Sequence, residues 1–405
     1  MFKKIIKSYD YSLILVVLLL SVFGLVMIYS ASMVTAIQRY GYESSFFYDK
    51  QKLHLIVAAF VFLFFALMPY KIMLSNKILI PMVFGSLGAL LLIKVFGHVA
   101  GNAQSWFKLG TSSIQPAEFV KISMIIYLSA VYAKKQTYIN EFNKGVIPPL
   151  VYLILACFLI AWQPDYGTAA LIVMIASTII IASGMNIKNM LKLAGLGTIL
   201  SIPLLIFLKD KIFSDVRMGR FISFMDPFAE GVANKEGYQI INSYIALGAG
   251  GVKGLGLGQS IQKLGYLPEP HTDFIMAVIA EELGLFGVLF VLFSLGYIVL
   301  KGIYIGLKGK DPFGSLLAIG ISSMIGIQSF TNLGGLSGVI PLTGVPLPFV
   351  SYGGSSLLQL SIAMGILVNV SMFVNYERKY KNKDSVKQQA NQENTVTGNA
   401  IQFRK

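Results

Sequence analysis

Charged residues are scarce in this 405-residue sequence. Only 13% of the residues are Asp, Glu, Lys or Arg, whereas 55% are hydrophobic. Soluble domains carry about 25% charged residues, so water could not solvate the surface of this chain and a soluble fold is excluded. The formal net charge of +14 would suggest nucleic acid in a soluble protein. In a membrane protein, lysines on cytoplasmic loops facing anionic lipid account for it, so no nucleic-acid partner is predicted.

Residues and motifs that serve common kinds of catalysis are also missing. Cys157 is the only cysteine, which excludes a disulfide within the chain and a cysteine-based metal site. The three histidines are scattered and form no zinc motif. Two segments, 105–108 and 260–263, have the Ser-x-x-Lys spacing. Without an accompanying Lys-Thr-Gly, this spacing does not favour a transpeptidase.

Long apolar runs dominate what the sequence does contain. A transmembrane helix needs about 20 mainly apolar residues. Ten segments approach or reach that length, near residues 12–32, 52–69, 77–97, 114–133, 147–163, 166–184, 188–208, 273–300, 312–335 and 353–376. The first run is too long for the apolar core of a signal peptide, so it is predicted to be an uncleaved helix. The sequence therefore predicts an all-α integral membrane protein with about ten transmembrane helices.

The distribution of lysine and arginine predicts how the chain is oriented. With a cytoplasmic N-terminus, most of these residues fall on cytoplasmic segments, as the positive-inside rule requires. Both termini are then cytoplasmic, and residues 209–272 form a large extracellular loop between helices 7 and 8. Residues 1–376 are predicted to be one membrane domain. Residues 377–405, rich in Lys, Asn and Gln, are predicted to be a disordered cytoplasmic tail.

Polar residues close to the membrane are concentrated toward the predicted outer side, where they are candidates for a functional site. Trp106 lies in an outer loop, and Glu118 and Lys121 share a face of the helix that begins at Pro116. This group is either a structural ion pair with an interfacial tryptophan or a cation placed to meet an anionic lipid headgroup. Asp165 lies in the following outer loop, where it either caps a helix or joins such a site.

The large extracellular loop contributes arginines and a glycine-rich stretch. Arg217 and Arg220 lie in its first part, and six glycines lie between Gly248 and Gly258. Such glycines resemble a phosphate-binding loop, but the Walker pattern and the preceding strand of a Rossmann motif are missing. The glycines are therefore predicted to let the backbone pack closely or re-enter at the membrane interface.

Two further polar groups follow the glycines. His271 and Asp273 end the large loop, and Asp273 is predicted in the first turn of the next helix, capped by the preceding threonine, with Glu281 on nearly the same face. A carboxylate at this interface either stabilises the helix start or acts as a base. Residues 332–356, which include Ser351, are rich in Gly, Pro and Ser and predict a re-entrant or tightly packed outer loop.

These separated motifs resemble those of the SEDS family, the shape, elongation, division and sporulation proteins. The resemblance covers about residues 10–376. It is carried, in the same order and spacing, by residues 115–121, 163–168, 267–284 and 332–356. Residues 8–12 and 101–109 are more similar to the division branch of the family than to the elongation branch, and a sporulation paralogue is left open.

The resemblance implies a ten-helix peptidoglycan glycosyltransferase. Such an enzyme polymerises lipid II, an undecaprenyl-linked substrate, at the outer face of the bacterial cytoplasmic membrane, here during septal division. A class B penicillin-binding transpeptidase and other membrane proteins of division are the implied partners. By position, the family's essential aspartate corresponds to Asp273 and its sensitive outer-loop tryptophan to Trp106. A lipid II flippase and a non-catalytic division scaffold remain alternatives.

The candidate site residues combine the residue patterns with this resemblance. Asp273 is predicted to be the catalytic residue, a general base that activates the acceptor hydroxyl. Cations nearby would stabilise the charge of the diphosphate leaving group. The predicted substrate-binding residues are Trp106, Glu118, Lys121, Asp165, Arg217, Arg220, His271, Glu281 and Ser351. The sequence shows no recognisable set of metal ligands, and Mg²⁺ or Mn²⁺ as a helper of diphosphate departure is left open.

Overall fold

The computed structural model describes residues 2–100, 103–109, 112–207, 214–229, 231–232 and 235–381. The α-helices in these residues are α1 (Phe2–Ile6), α2 (Tyr11–Tyr40), α3 (Phe46–Leu67), α4 (Asn76–Phe96), α5 (Pro116–Lys134), α6 (Ile147–Trp162), α7 (Tyr166–Ala182), α8 (Ile187–Phe207), α9 (Asp215–Met225), α10 (Glu236–Gly250), α11 (Ile275–Lys308), α12 (Pro312–Leu336) and α13 (Gly354–Tyr376). Short helical turns cover Tyr70–Leu74, Gln136–Tyr138, Phe142–Val146, Gln262–Leu264 and Glu377–Lys381.

The helices coincide with the predicted membrane spans. Within the described residues, seven helices are long and apolar enough to cross a membrane: α2, α3, α4, α5, α11, α12 and α13. The shorter apolar helices α6 and α7 and the 21-residue α8 occupy the other three predicted positions. The predicted all-α membrane fold is therefore confirmed. Of the predicted tail, residues 377–381 form a helical turn, and residues 382–405 lie outside the described part.

Helix α2 extends well beyond the predicted segment 12–32. It continues to Tyr40 and ends at Gly41, which adopts the left-handed conformation with φ of 66°. The N–H of Tyr42 donates to the carbonyl oxygen of Ala36 at 2.9 Å, a bond typical of glycine-ended helices. The longer helix carries its last turn, with Arg39, up to the level of the large loop.

A small antiparallel sheet follows α4, and the sequence did not predict it. It consists of β1 (His98–Ala100), β2 (Ala103–Leu109) and β3 (Ser112–Ile114) in the order β1-β2-β3. Trp106 pairs with His98, and Phe107 pairs with Ile114. The sheet packs against α4 and α5, so Trp106, predicted to lie in an outer loop, lies in a β-strand.

Helix α11 is interrupted near its start. Gly284 adopts φ of 60° and ψ of −153°, which breaks the helical hydrogen-bond pattern, and only glycine adopts such angles easily. The N–H of Leu285 donates to the carbonyl oxygen of Gly251 at 3.1 Å instead of to a carbonyl of its own helix. The outer part of α11, residues 275–283, is thus set off from the long inner part.

The glycine-rich stretch of the large loop lies against this break. The N–H groups of Leu255 and Gly256 donate to the carbonyl oxygens of Glu281 and Glu282, each at 2.9 Å. A Cβ atom at Gly254 would overlap the carbonyl oxygen of Glu282. Close backbone packing, one of the two uses predicted for these glycines, is therefore what the structure shows.

Antiparallel packing of the helices places the chain ends together. Helix α11 packs on α12, and α12 packs on α5, α7 and α13. Lys379 Nζ donates to the carbonyl oxygen of Lys7 at 3.1 Å, and Asn375 Nδ2 donates to that of Ser8 at 3.2 Å. The described parts of both termini thus share one end of the bundle. The opposite end, which the lysine distribution predicts to face outside, is called the outer end below.

Candidate functional site

Asp273 lies in a turn at the outer end, just before α11. The helix begins at Ile275, and no side chain donates to or accepts from its first turn as a cap. The predictions that Asp273 lies inside the first helical turn and that Thr272 caps the helix are therefore wrong. Thr272 instead donates through its backbone N–H and its Oγ1 to the carbonyl oxygen of Glu269, at 3.2 and 3.1 Å.

The segment between α12 and α13 holds this turn in place. Asn332 Nδ2 donates to the carbonyl oxygens of Asp273 and Val345, both at 2.8 Å. Ser351 Oγ donates to the carbonyl oxygen of Thr272 at 2.6 Å, and the N–H of Tyr352 donates to that of His271 at 2.9 Å. Three hydrogen bonds from the segment between α12 and α13 thus hold the three consecutive carbonyls of residues 271–273.

The surroundings of Asp273 shift its ionisation. Burial raises the pKa of the Asp273 carboxyl to about 6, the negative charge of Glu269 adds to the shift, and the positive charge of Arg220 opposes it. Burial raises the pKa of an acid because a low-dielectric surrounding disfavours its charged form. A carboxyl with this pKa exchanges its proton close to neutral pH, as a general base must.

His271 belongs to the same turn, and its side chain is buried. It packs against Phe47, with ring centroids 4.3 Å apart, and against Tyr352 at 5.6 Å. Burial, and secondarily the positive charge of Arg39, lowers the pKa of the His271 imidazole to about 4. The ring is therefore neutral at pH 7 and does not supply a positive charge to a substrate.

Asp165 lies in a second cluster at the same end. Its Oδ1 accepts from the N–H of Thr168 at 3.2 Å, so the residue does cap α7, and its Oδ2 accepts from Gln115 Nε2 at 3.1 Å. Burial raises the pKa of Asp165, and the nearby charges of Glu118 and Lys121 raise and lower it respectively. The capping role, one of the two alternatives that the sequence left open for Asp165, is therefore confirmed. Its role in substrate binding stays a prediction.

Glu118 and Lys121 form an ion pair, one of the two alternatives that the sequence left open. Lys121 Nζ lies 2.8 Å from Glu118 Oε1, and the two side chains are only 1% and 6% exposed. Within the described part of the chain, Glu118 Oε2 has no hydrogen-bond partner. A buried pair this close to Asp165 sets the local charge of the cluster, and the unused carboxylate oxygen gives it capacity for one further donor.

The arginines of α9 lie between the two clusters. Arg217 Nη2 donates to the carbonyl oxygen of Pro164 at 3.1 Å, and its guanidinium lies 4.6 Å from the centre of the Tyr166 ring. Arg220, three residues further on, is exposed and acts electrostatically on Asp273. One turn of α9 therefore places a cation near each of the two aspartates.

Thr343 and Gly344 connect the clusters directly. A Cβ atom on Gly167 would lie 3.3 Å from the carbonyl oxygen of Thr343, and one on Gly344 would lie 3.6 Å from Oδ2 of Asp273. The loop after Asp165 and the turn of Asp273 are thus separated by little more than one backbone strand. The arrangement places two partly buried carboxyls and two arginines at the outer end of the bundle.

Trp106 approaches this region through the sheet. It is partly buried in β2, and the sheet is attached to the site where Ser355 Oγ donates to the carbonyl oxygen of Ser113 at 3.2 Å and accepts from the N–H of Gln115 at 3.1 Å. Within the sheet, Trp106 pairs with His98. Its predicted role in substrate binding stays a prediction.

Glu281 is placed differently from the other predicted site residues. Its Oε1 accepts from the N–H of Ile261 at 2.9 Å, and its Oε2 accepts from Ser260 Oγ. The neighbouring Glu282 forms a buried ion pair with Lys263, 2.7 Å from Oε1 to Nζ. These carboxylates anchor the large loop to α11, which explains the Ser-x-x-Lys spacing as a structural feature, and the contacts do not place Glu281 beside Asp273.

Two residues near Asp273, Arg39 and Glu269, were not predicted from the sequence to belong to the site. Arg39 Nη1 lies 2.7 Å from Glu269 Oε1, and Glu269 begins the turn that carries Asp273. The only local signal was the sequence Pro268-Glu269-Pro270, in which a charged residue is fixed between two prolines. Arg39 gave no signal, because the contact joins residues 230 positions apart.

Comparisons with known proteins agree with this structure. The model of the FtsW/RodA/SpoVE family, described as "Cell cycle protein", matches residues 10–376. The chain is 58% identical to the Bacillus subtilis protein named "Probable peptidoglycan glycosyltransferase FtsW", over 95% of this chain and 96% of that protein. It is 39% identical to "Stage V sporulation protein E" of the same organism, over 91% and 98%.

The fold is also found among solved structures. A chain from "Structural coordination of polymerization and crosslinking by a peptidoglycan synthase complex" is 22% identical and superposes with a TM-score of 0.71, over 90% of this chain and 98% of that chain. Similarity at this level shows a shared fold. Together with the family match over residues 10–376 and the 58% identity to the Bacillus subtilis protein, it shows that the chain belongs to the FtsW/RodA/SpoVE family, the SEDS proteins.

Proposed function

We propose that the chain is a peptidoglycan glycosyltransferase of the division type, which polymerises lipid II at the outer face of the cytoplasmic membrane. The observation that carries the proposal is the state of Asp273, a partly buried carboxyl whose pKa is raised to about 6 in a turn held by hydrogen bonds to its backbone. A general base is most efficient when its pKa lies near the working pH. The names of the relatives, peptidoglycan glycosyltransferases among them, support the same chemistry.

The reaction is a single displacement at the anomeric carbon of the lipid-linked donor. The 4-hydroxyl of the acceptor sugar attacks this carbon while Asp273 accepts the hydroxyl proton. The bond to the diphosphate oxygen breaks, and undecaprenyl diphosphate leaves with the bonding electron pair. Proton transfer to a positioned base typically contributes about 10²–10⁴-fold in rate.

Charge on the leaving diphosphate is stabilised by the arginines of α9. Arg220 is exposed at the outer end, and Arg217 lies against Pro164 and Tyr166. Cations aimed at charge that develops in the transition state are worth several kcal/mol. Lys121 is buried and donates to Glu118, so it acts through the charge balance of the Asp165 cluster.

The described part of the chain contains no evident set of side-chain ligands for a metal ion. In the residues that the structure describes, no three His, Cys, Asp or Glu side chains lie close enough to hold a metal ion. A Mg²⁺ or Mn²⁺ ion would therefore depend mainly on the oxygens of the diphosphate itself, as magnesium often does. No step of the proposed mechanism passes through a metal.

The partners of this activity are proposed from the relatives. A solved structure with the same fold belongs to a peptidoglycan synthase complex of polymerisation and crosslinking. We expect a class B penicillin-binding transpeptidase to bind this chain in the membrane, with other division proteins, at the septum. Crosslinking needs nascent strands, so a partner of this kind would use the product where it is made.

The direct test is polymerisation of purified lipid II by the purified chain, with and without a cognate transpeptidase. We expect Asp273→Asn to lower the rate of glycan formation at least 100-fold, since the amide cannot accept the proton. Asp49→Asn is the matched control, because Asp49 is an exposed carboxylate at the same end of the bundle. The glycan strands formed over time are separated by length on gels, which gives the rate of glycan formation.

The same assay separates the proposal from its alternatives. Polymerisation in detergent, where there are no two sides to cross, is expected of an enzyme and not of a flippase. A scaffold would show no polymerisation by the chain itself under any condition. Full activity of Asp273→Asn would contradict the role assigned to this residue.

A further inference from the structure

The last turn of α2 makes an ion pair with the loop that carries Asp273. Arg39 Nη1 lies 2.7 Å from Glu269 Oε1, and the hydroxyl of Tyr40 donates to the same oxygen at 3.4 Å. The Arg39 guanidinium lies 5.7 Å from the centre of the Tyr40 ring. The Glu269 carboxylate is therefore held by two neighbouring residues of one helix end.

Glu269 begins the turn that carries Asp273. It has a positive φ of 51°, a conformation that side chains other than glycine adopt rarely and at a cost. Its carbonyl oxygen accepts from both the N–H and the Oγ1 of Thr272. Fixing the Glu269 side chain therefore helps to hold a strained backbone from which Asp273 follows four residues later.

Glu269 also contributes to the charge that Asp273 experiences. Its carboxylate disfavours ionisation of Asp273, whereas Arg220 on α9 favours it. The other titratable side chains in contact with the turn are His271, Tyr352 and Tyr40. Burial lowers the pKa of His271 to about 4, raises that of Tyr352 to about 12 and also raises that of Tyr40, so all three are neutral at pH 7. The Glu269 carboxylate, which Arg39 partly neutralises, is thus one of the few charges near Asp273 that a substitution can change.

We propose that Arg39 is a positioning residue for Asp273, which acts through Glu269 to fix the turn and to balance its charge. This inference rests on the proposed function, in which Asp273 is the general base. It assigns a role in the reaction to the first transmembrane helix. The pair is exposed, with side chains 56% and 37% accessible, so its worth for folding is small, and its effect is expected in the reaction.

The experiment is the pH profile of kcat/KM for lipid II polymerisation by the full chain. The variants are Arg39→Ala, Arg39→Lys, Glu269→Gln and the double variant Arg39→Ala/Glu269→Gln. Glu43→Gln is the matched control, an exposed carboxylate close to the end of α2. The acidic limb of this profile reports the base of the free enzyme. Size-exclusion chromatography in detergent checks that each variant is folded.

The expected shifts have opposite signs. Arg39→Ala leaves the Glu269 charge unbalanced, so the acidic limb moves to higher pH, by about half a pH unit. Glu269→Gln removes the like charge, and the limb moves to lower pH by a similar amount. Arg39→Lys keeps the charge and is expected to restore most of the wild-type profile, and Glu43→Gln is expected to leave the limb in place.

The double variant tests whether Arg39 acts through Glu269. Its limb is expected to coincide with that of Glu269→Gln, because Arg39 then has no charge to balance. Limbs that stay in place in both single variants, or a double variant that shows the simple sum of the two shifts, would overturn the proposal. A wild-type chain that does not polymerise lipid II, or an active Asp273→Asn variant, would instead reject the proposed function.

Discussion

Carboxylates of the same chemical type have different roles here because their partners differ. The pKa of Asp273 is raised to about 6 by burial and by Glu269, and the hydrogen bonds that hold its turn go to backbone carbonyls rather than to its carboxyl. Asp165 caps α7 and accepts from Gln115. Glu281 uses its oxygens to anchor residues 260–262. Burial alone does not distinguish these carboxyls from one another. They differ in the number of hydrogen-bond donors that each carboxyl already binds.

The raised pKa of Asp273 also lowers the free energy of unfolding, over a pH range that can be stated. An unfolded aspartate loses its proton near pH 4, whereas folded Asp273 keeps it up to about pH 6. Between these values the unfolded state binds fewer protons, so the free energy of unfolding falls as the pH rises, and it is flat above pH 6. We expect Asp273→Asn to raise the melting temperature by a few degrees near neutral pH, as a few kcal/mol would.

This prediction is checked by thermal unfolding of the detergent-purified chain over a range of pH. The gain should disappear below pH 4, where Asp273 is neutral in both states. Asp49→Asn serves again as control and should show no such pH-dependent gain. A lower melting temperature of Asp273→Asn near neutral pH would mean that the carboxylate is stabilised by its surroundings, contrary to the raised pKa.

At the scale of single residues, the sequence was enough to predict candidate site residues but not the contacts that they make. Asp273, Asp165 and Lys121 stood out because polar residues in apolar surroundings are rare. Their environments depend on residues far away in the chain, such as Arg39, which lies 230 positions from Glu269. One sequence contains no information about such pairs, so Glu281 was grouped with Asp273 because of helical periodicity alone.

At the scale of elements, the helices were predictable and the irregular segments were not. Ten apolar runs predicted ten helices, because a chain in lipid must satisfy its backbone groups internally. The sheet at residues 98–114 was missed because its strands are short and flanked by glycines. The break at Gly284 was missed because its cause lies in another segment, the glycine-rich stretch that supplies the replacement hydrogen bonds.

The contact between the glycine-rich stretch and α11 leads to a prediction for Gly254. A Cβ atom there would overlap the carbonyl oxygen of Glu282, and φ of Gly254 is 76°. Both clash and strain oppose any side chain. We expect Gly254→Ala to lower the melting temperature by about 5 °C or more, measured by thermal unfolding in detergent.

Gly248→Ala is the matched control for this prediction. Gly248 lies in α10, and a Cβ atom at this position would meet no atom within 4 Å. Alanine favours helix more than glycine does, so this variant is expected to be as stable as the wild type or slightly more stable. Equal stability of the two variants would show that the loop does not pack against α11 in solution.

At the scale of the whole molecule, antiparallel helices gather the polar groups at one end. Residues 115–121, 163–168, 217–220, 269–273 and 343–351 come from separate parts of the chain and meet there. The described parts of both termini lie at the other end. Such a separation agrees with the lysine distribution, which predicts the first end outside and the second in the cytoplasm.

Cysteine labelling in intact cells tests this orientation. In a Cys157→Ser background, Glu43→Cys and Ser337→Cys are expected to react with a membrane-impermeant maleimide, since both positions are exposed at the outer end. Lys310→Cys, in the connection between α11 and α12, is expected to react only after the cells are permeabilised. The reverse pattern would place Asp273 in the cytoplasm, away from any outer-face substrate.

The buried pair of Lys263 and Glu282 has a consequence for which substitutions the chain tolerates. The two side chains are only 2% and 0% exposed, so the loss of either partner alone would leave the other charge buried without compensation. A neutral residue at one position is therefore tolerated best with a neutral residue at the other. In this way the sequence of the large loop and the sequence of α11 constrain each other.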